Sequence, residues 1–318
     1  MNMQHFEQAY SFCQETAIHM QRHEQFFQEI PIEEYVPIPI SIPKHLIGNP
    51  EKIMDWLLIS QSISFSLWPT LTKADVMFPD HWQIQLSGNI VDPILPENGI
   101  RELISYILEI GISLHDGNTL KNITSNDIGI YFQPTPGYPT LLELDLRLSC
   151  LREVGHMIFN ERNCIGLIER SDFISHQFLE GLLHHCKSWN DQVIIEDIPL
   201  SFQWRGWKLC HLLQQALFDY PSRQFVDSEH FAFYADPRYS RLFTDMGLLI
   251  CNQPYDLLAG SRTEIEIRIC TQNIIEQGYK IIKERHPNIS RMHFQKYLED
   301  LLLFKEIRPL YSSKTLCY

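Results

Sequence analysis

The sequence lacks clustered cations. Along its 318 residues no block of five or more Lys and Arg occurs, and the formal charge is −13. Tight binding to a polyanion needs cations that displace counterions from phosphates, which argues against long nucleic acid as a partner. A single nucleotide stays open, because one or two Arg residues or a helix N-terminus hold one phosphate on an acidic protein. Cysteine pairing motifs are missing too. The eight cysteines, at 13, 150, 164, 186, 210, 251, 270 and 317, form no C-x-x-C pair and no regular spacing. That argues against a zinc ribbon and against a disulfide framework. The 14 glycines assemble no G-x-x-x-x-G-K-[ST], G-x-G-x-x-G or G-x-S-x-G, so the familiar kinase, dehydrogenase and serine-hydrolase chemistries find no support. No uncharged run is long enough to span a bilayer, and no basic segment precedes an apolar one near Met1. A reducing, cytoplasmic setting with no membrane partner is the expectation. The sequon at Asn122-Ile123-Thr124 is then incidental.

What is present is apolar. Hydrophobic residues make up 44% and aromatics 12%, enough for a sizeable globular core. Phe6, Tyr10, Phe12, Ile18, Phe26 and Phe27 are spaced to suit an amphipathic helix over residues 4–29, stopped by Pro31. Residues 30–50, rich in Pro and Ile, read as an extended crossing segment. Residues 82–86 alternate like a strand before Ser87-Gly88-Asn89, which predicts a small β-hairpin. Thereafter the pattern is helical. Ile100, Leu103, Ile104, Ile107 and Leu108 share a face; residues 141–159 are long and apolar; Ser171 reads as the N-cap of a helix carrying Ile174, Phe178 and Leu182. Further helices are predicted over 207–217, 237–251, 262–285 and 290–304, with Pro221 and Ser290 as boundary markers. With no internal repeat and no low-complexity linker, the expectation is one mainly α-helical domain over 1–318 with a small hairpin. Residues 1–62 would form an N-terminal helix and extended segment packed on it.

His19 and His23 sit four apart, a spacing that suits two metal ligands. The pattern lacks the Glu of a zincin and a third ligand, so a polar helix face is the better reading. His184-His185-Cys186 are neighbours that point in different directions on a helix. Neither a metal nor an organic cofactor is expected.

Two later segments set charge in apolar surroundings. In Phe231-Ala232-Phe233-Tyr234-Ala235-Asp236-Pro237-Arg238 a carboxylate follows three aromatics and precedes Pro237, so Asp236 reads as the N-cap of the next helix. In Thr263-Glu264-Ile265-Glu266-Ile267-Arg268 acidic and apolar residues alternate. Glu264 and Arg268 have the spacing of an intrahelical ion pair. The bland reading is a solvated helix start; the crowding isoleucines suggest that at least one charge is buried and paired.

These segments resemble motifs of the queuosine salvage family, the queuosine-5'-phosphate N-glycosylases. Tyr234-Ala235-Asp236-Pro237-Arg238 resembles its F-A-D-Y-R, and Glu264-Ile265-Glu266-Ile267-Arg268 resembles its E-V-E-I-R. Ser201-Phe202-Gln203-Trp204-Arg205-Gly206-Trp207 aligns with its S-F-Y-K-R-A-Q, with no gap from Ser201 to Asp236, and Phe225 and Asp227 fall on its F-x-D. Ser64-Phe65-Ser66-Leu67-Trp68 resembles N-F-S-F-W. Arg147, Leu151, Glu153 and Gly155 follow its R-x-x-x-L-x-E-x-G helix, and the terminal Tyr318 matches a family ending in tyrosine.

The resemblance implies a helical, DNA-glycosylase-like architecture and cleavage of the N-glycosidic bond of queuosine 5'-phosphate, releasing queuine. It implies a catalytic role for Asp236, which would stabilise positive charge on the ribose, attack it directly or activate water. Phe65, Trp68, Phe233 and Tyr234 are candidates for stacking on the base. Arg205, Arg238 and Arg268 are candidates for a phosphate or for internal carboxylates, with Glu264 beside them. Asp300 falls on the first aspartate of the family's D-Y-Y-L-W-D helix and would read the base edge; Phe304 falls on its tryptophan. The chain departs from the pattern at Trp204 for lysine, Leu212 for aspartate, Pro237 for tyrosine and Lys305 for the second aspartate. Trp204 offers stacking surface where the family has a cation. A divergent N-glycosidase on another nucleoside or nucleotide, and a non-catalytic nucleotide-binding protein, are the alternatives.

Overall fold

A computed structural model describes residues 3–65, 82–86, 88–91, 96–251 and 260–305. They are mainly helical, with only short antiparallel strand pairs. The described residues group into two compact units. One takes in the chain up to Ile38, Asp191–Trp207 and the chain from Ser228; the other takes in residues 39–190 and Lys208–Asp227.

The first unit is built on helix Arg262–Arg285, which starts at Ser261 with its hydroxyl oxygen accepting the Glu264 N–H. Helices Met3–Tyr10, Met20–Glu29 and Pro237–Asp245 pack on it. Helix Arg291–Phe304, capped by Ser290 as the sequence predicts, packs on Pro237–Asp245.

The continuous helix expected over residues 4–29 is broken by strand Thr16–Ile18, which pairs with Leu249–Cys251. Glu266 gives the physical reason. Its fully buried carboxylate accepts the backbone N–H groups of Gln14, Glu15 and Thr16 at 3.0, 2.7 and 3.2 Å. Those donors are then lost to any continuing helix. The helix expected over 237–251 ends at Asp245, because Gly247 adopts φ 69° and turns the chain into the strand. A second hairpin, Gln192–Ile195 with Ile198–Ser201, turns at Glu196 and Asp197, both at positive φ as a type I′ turn requires. Its Ile195, Ile198 and Leu200 pack with Phe202 and Ile269 against Phe6 and Ala9.

In the second unit helix Pro50–Ser62 is buried along most of its length and packs on helices Pro96–Glu109, Leu144–Glu161 and Cys164–Arg170. Gly155 matters for its missing side chain: a Cβ there would lie 2.2 Å from the Lys121 nitrogen, so helix Gly117–Lys121 can approach only glycine. The predicted hairpin is present as Ile84–Leu86 with Asn89–Val91. Ser171 does not start a helix. It closes Cys164–Arg170, and helix Ser175–His185 follows from Ile174. Asp227 supplies the cap from a distance, accepting the Ser175 N–H at 2.9 Å and its hydroxyl at 2.8 Å.

Asp55, 4% exposed on helix Pro50–Ser62, accepts the Cys164 N–H at 2.8 Å. Burial pushes its carboxyl up to about 7. A raised carboxyl binds its proton more tightly in the folded state, so stability is full below about pH 4 and falls as pH rises through 7. Asp55→Asn keeps the acceptor and removes the charge. It is expected to gain roughly 1–3 kcal/mol over wild type at pH 8, and almost nothing at pH 4, in urea unfolding. Equal gains at both pH values would refute the titration.

Candidate functional site

Segment 231–236 is irregular backbone whose polar groups are met by side chains from two helices of the first unit. Arg291 Nε donates to the Phe231 carbonyl at 2.7 Å and Gln272 Nε2 to the Phe233 carbonyl at 3.2 Å. Gln295 Oε1 accepts the Tyr234 N–H at 3.3 Å, while its Nε2 donates to the Tyr239 hydroxyl at 2.9 Å. Gln272 and Gln295 are wholly buried. The segment leading to Asp236 is thus held from both sides.

Asp236 caps helix Pro237–Asp245, with Oδ1 accepting the Arg238 N–H at 3.0 Å and Pro237 in the first turn. The same two residues form a bidentate pair: Arg238 Nε donates to Oδ1 and Nη2 to Oδ2, both at 2.8 Å. Asp236 is 3% and Arg238 6% exposed. A carboxylate gripped by a guanidinium fork is fixed in orientation as well as charge.

Tyr239, fully buried one turn into that helix, is a member of the site that sequence reasoning missed. Burial, then the charge of Asp236, pushes its hydroxyl well above the usual range; Asp300 acts on it in the same direction. The only signal of Tyr239 in the sequence is an aromatic three residues after a helix cap. Asp300 itself is fully buried. Its Oδ2 accepts the Tyr35 hydroxyl and, at 3.0 Å, the Ile38 N–H, and its Oδ1 pairs with Lys296 at 2.5 Å. Burial and that hydrogen bond to Asp300 push the Tyr35 hydroxyl well up.

Glu264 and Arg268 are also brought together, 3.9 Å apart and both buried. The closer partner of Arg268 is Asp191, which sequence reasoning missed, and the guanidinium lies 3.8 Å over the Phe202 ring. Glu264 Oε2 accepts the Gly260 N–H at 2.5 Å. Trp204 and Arg205, in the first turn of helix Trp204–Ala216, are 5% and 3% exposed.

The aromatics divide. Tyr234 is fully buried on the Asp236 segment. Phe233 lies next to it, but its ring is covered by the Arg291 guanidinium at 3.8 Å and by Tyr279 and Phe294 at 5.1 and 5.5 Å. Phe65 belongs to the second unit, where the Arg147 guanidinium lies 4.5 Å over its ring. Trp68 and Tyr318 fall outside the described residues.

His19 caps its helix, with Nδ1 accepting the Arg22 N–H, and buried His23 contacts the Ile274 carbonyl at 3.0 Å. His185 pairs with Glu161 at 2.8 Å. Among the described residues no group of three or more His, Cys, Asp or Glu is arranged to hold a metal. No described helix is long and apolar enough to cross a membrane.

No curated protein matches the chain. The profile of one family, described as queuosine salvage protein, matches residues 44–316. That span includes Asp236, Glu264, Arg268 and Asp300 and nearly the whole chain, and the chain belongs to the queuosine salvage protein family.

Proposed function

We propose that the chain is an N-glycosidase that hydrolyses queuosine 5'-phosphate, or a related modified nucleotide, to release queuine for salvage. Membership of a queuosine salvage family supports the pathway. The observation that carries the chemistry is Asp236, a buried carboxylate fixed at a helix N-cap by the bidentate Arg238. As the base departs, positive charge builds on the ribose. An immobile anion beside the anomeric carbon stabilises that charge more than it stabilises the ground state.

One observation favours a second reading, a divergent N-glycosidase on another nucleoside or nucleotide. Asp300, which would read a guanine-like edge, is engaged by Tyr35, Ile38 and Lys296. The experiment incubates the full chain with queuosine 5'-phosphate, queuosine and common nucleotides, and measures free base by mass spectrometry. Release from queuosine 5'-phosphate supports the first reading, and release from another member alone supports the second. Tight binding with no base released from any would make it a binding protein.

A further inference from the structure

Three cysteines far apart in sequence meet on one face of helix Arg262–Arg285, and Glu266 sets the meeting up. By accepting the N–H groups of Gln14, Glu15 and Thr16, it lays the end of the N-terminal segment along the helix. Cys270 lies four residues beyond Glu266, on the same face. Cys13 immediately precedes the anchored residues and packs against the apolar cluster that contains Ile269. The third thiol arrives with the strand pair, since Thr16 is the register partner of Cys251. Tyr10, whose hydroxyl oxygen accepts the Ile18 N–H at 3.3 Å, packs against the same apolar cluster as Cys13.

The three thiols differ in access. Cys13 and Cys251 are half-buried, Cys270 is fully buried, and none is in a disulfide. The Cys13 thiol, which donates to the Ala9 carbonyl at 3.8 Å, and burial raise the Cys270 thiol, and Cys251 acts on it more weakly. The accessible member of the closest pair is therefore Cys13, and the partner behind it is Cys270.

We propose that Cys13 and Cys270 form a redox modification site, in which a peroxide oxidises Cys13 and Cys270 closes the product to an intramolecular disulfide. In the first step the Cys13 thiolate attacks a peroxide oxygen. An S–O bond forms, the O–O bond breaks, and hydroxide leaves and takes up a proton as water; sulfur loses two electrons and the peroxide gains them. In the second step the Cys270 thiol attacks the Cys13 sulfur as its proton passes to the leaving hydroxyl. The S–S bond forms, the S–O bond breaks, and the hydroxyl leaves with that proton as water. The bond fastens the N-terminal segment to the helix that carries Glu264 and Arg268. It does not depend on the glycosidase reading.

The test treats the full chain with hydrogen peroxide, blocks remaining thiols, digests without reductant and maps linked peptides by mass spectrometry. A Cys13–Cys270 peptide is expected as the dominant link, reversed by dithiothreitol and absent from Cys13→Ser. Oxidised wild type is expected to melt several degrees higher than reduced wild type, a shift Cys13→Ser should not show. Equal melting of the two proteins in reductant confirms that the variant folds. A dominant Cys13–Cys251 link, or Cys13 carried to sulfinic acid with Cys270 unlinked, would overturn the proposal.

Discussion

Asp236→Asn is expected to reduce base release by about 10³-fold, almost entirely in kcat, because the carboxylate acts on charge that exists only in the transition state. Asparagine retains an oxygen to cap helix Pro237–Asp245 and to accept the Arg238 N–H at 3.0 Å. What it removes is the negative charge, and with it the proper partner of a guanidinium that is only 6% exposed. Replacing the charged partner of a buried guanidinium by a neutral amide costs stability, so the variant is also expected to melt several degrees lower. The two effects separate experimentally. Steady-state kinetics well below the variant's melting temperature isolate kcat, and a substrate-induced thermal shift shows that binding survives. Arg238→Lys gives the complementary measurement. It keeps the charge but loses the fork that orients both oxygens, and about a tenfold loss of kcat with unchanged KM is expected. Activity of Asp236→Asn within tenfold of wild type would remove Asp236 from the chemistry.

Elements bounded by local signals were legible in the sequence. Ser290 caps the helix it was predicted to cap, Arg262–Arg285 runs as the periodicity indicates, and the turn at Gly88 joins the predicted hairpin. Pro237 follows Asp236 as a cap followed by a first-turn proline should. What stayed hidden is fixed by partners distant in sequence. Thr16–Ile18 is too short to show a period, and its pairing strand begins at Leu249. The helix at Ser175 is capped by Asp227, so the local cap signal at Ser171 misled. Buried charges follow the same rule. The i, i+4 spacing of Glu264 and Arg268 was visible, whereas the closer partner Asp191 stands beside no local complement. Asp300 was flagged through the family motif, but the Tyr35 and Lys296 bonds that consume its oxygens were not.

Arg147→Met is expected to produce the largest loss of stability, about 3–5 kcal/mol, with a fall in melting temperature of roughly 10 °C. Arg147 is wholly buried on helix Leu144–Glu161. Its guanidinium binds the carbonyls of Ile63 and Phe65, where the chain leaves helix Pro50–Ser62, and its Nε donates to the Leu142 carbonyl at 2.8 Å. It also lies against the Phe65 ring. These carbonyls lie where helix Pro50–Ser62 ends and just before helix Leu144–Glu161 begins, and the arginine donates to each of them. Methionine fills much of the volume and stacks on the ring, but leaves the acceptors dry at about 1–3 kcal/mol each. Lysine tests the geometry separately from the charge. One ammonium cannot span carbonyls fixed by a planar fork, so Arg147→Lys is expected to lose more than half as much as Arg147→Met. Urea unfolding measures both variants. If Arg147→Lys were as stable as wild type, charge alone would explain the site and the fork would not; if Arg147→Met melted within 2 °C of wild type, about 1 kcal/mol or less for a chain this long, the anchor itself would be refuted.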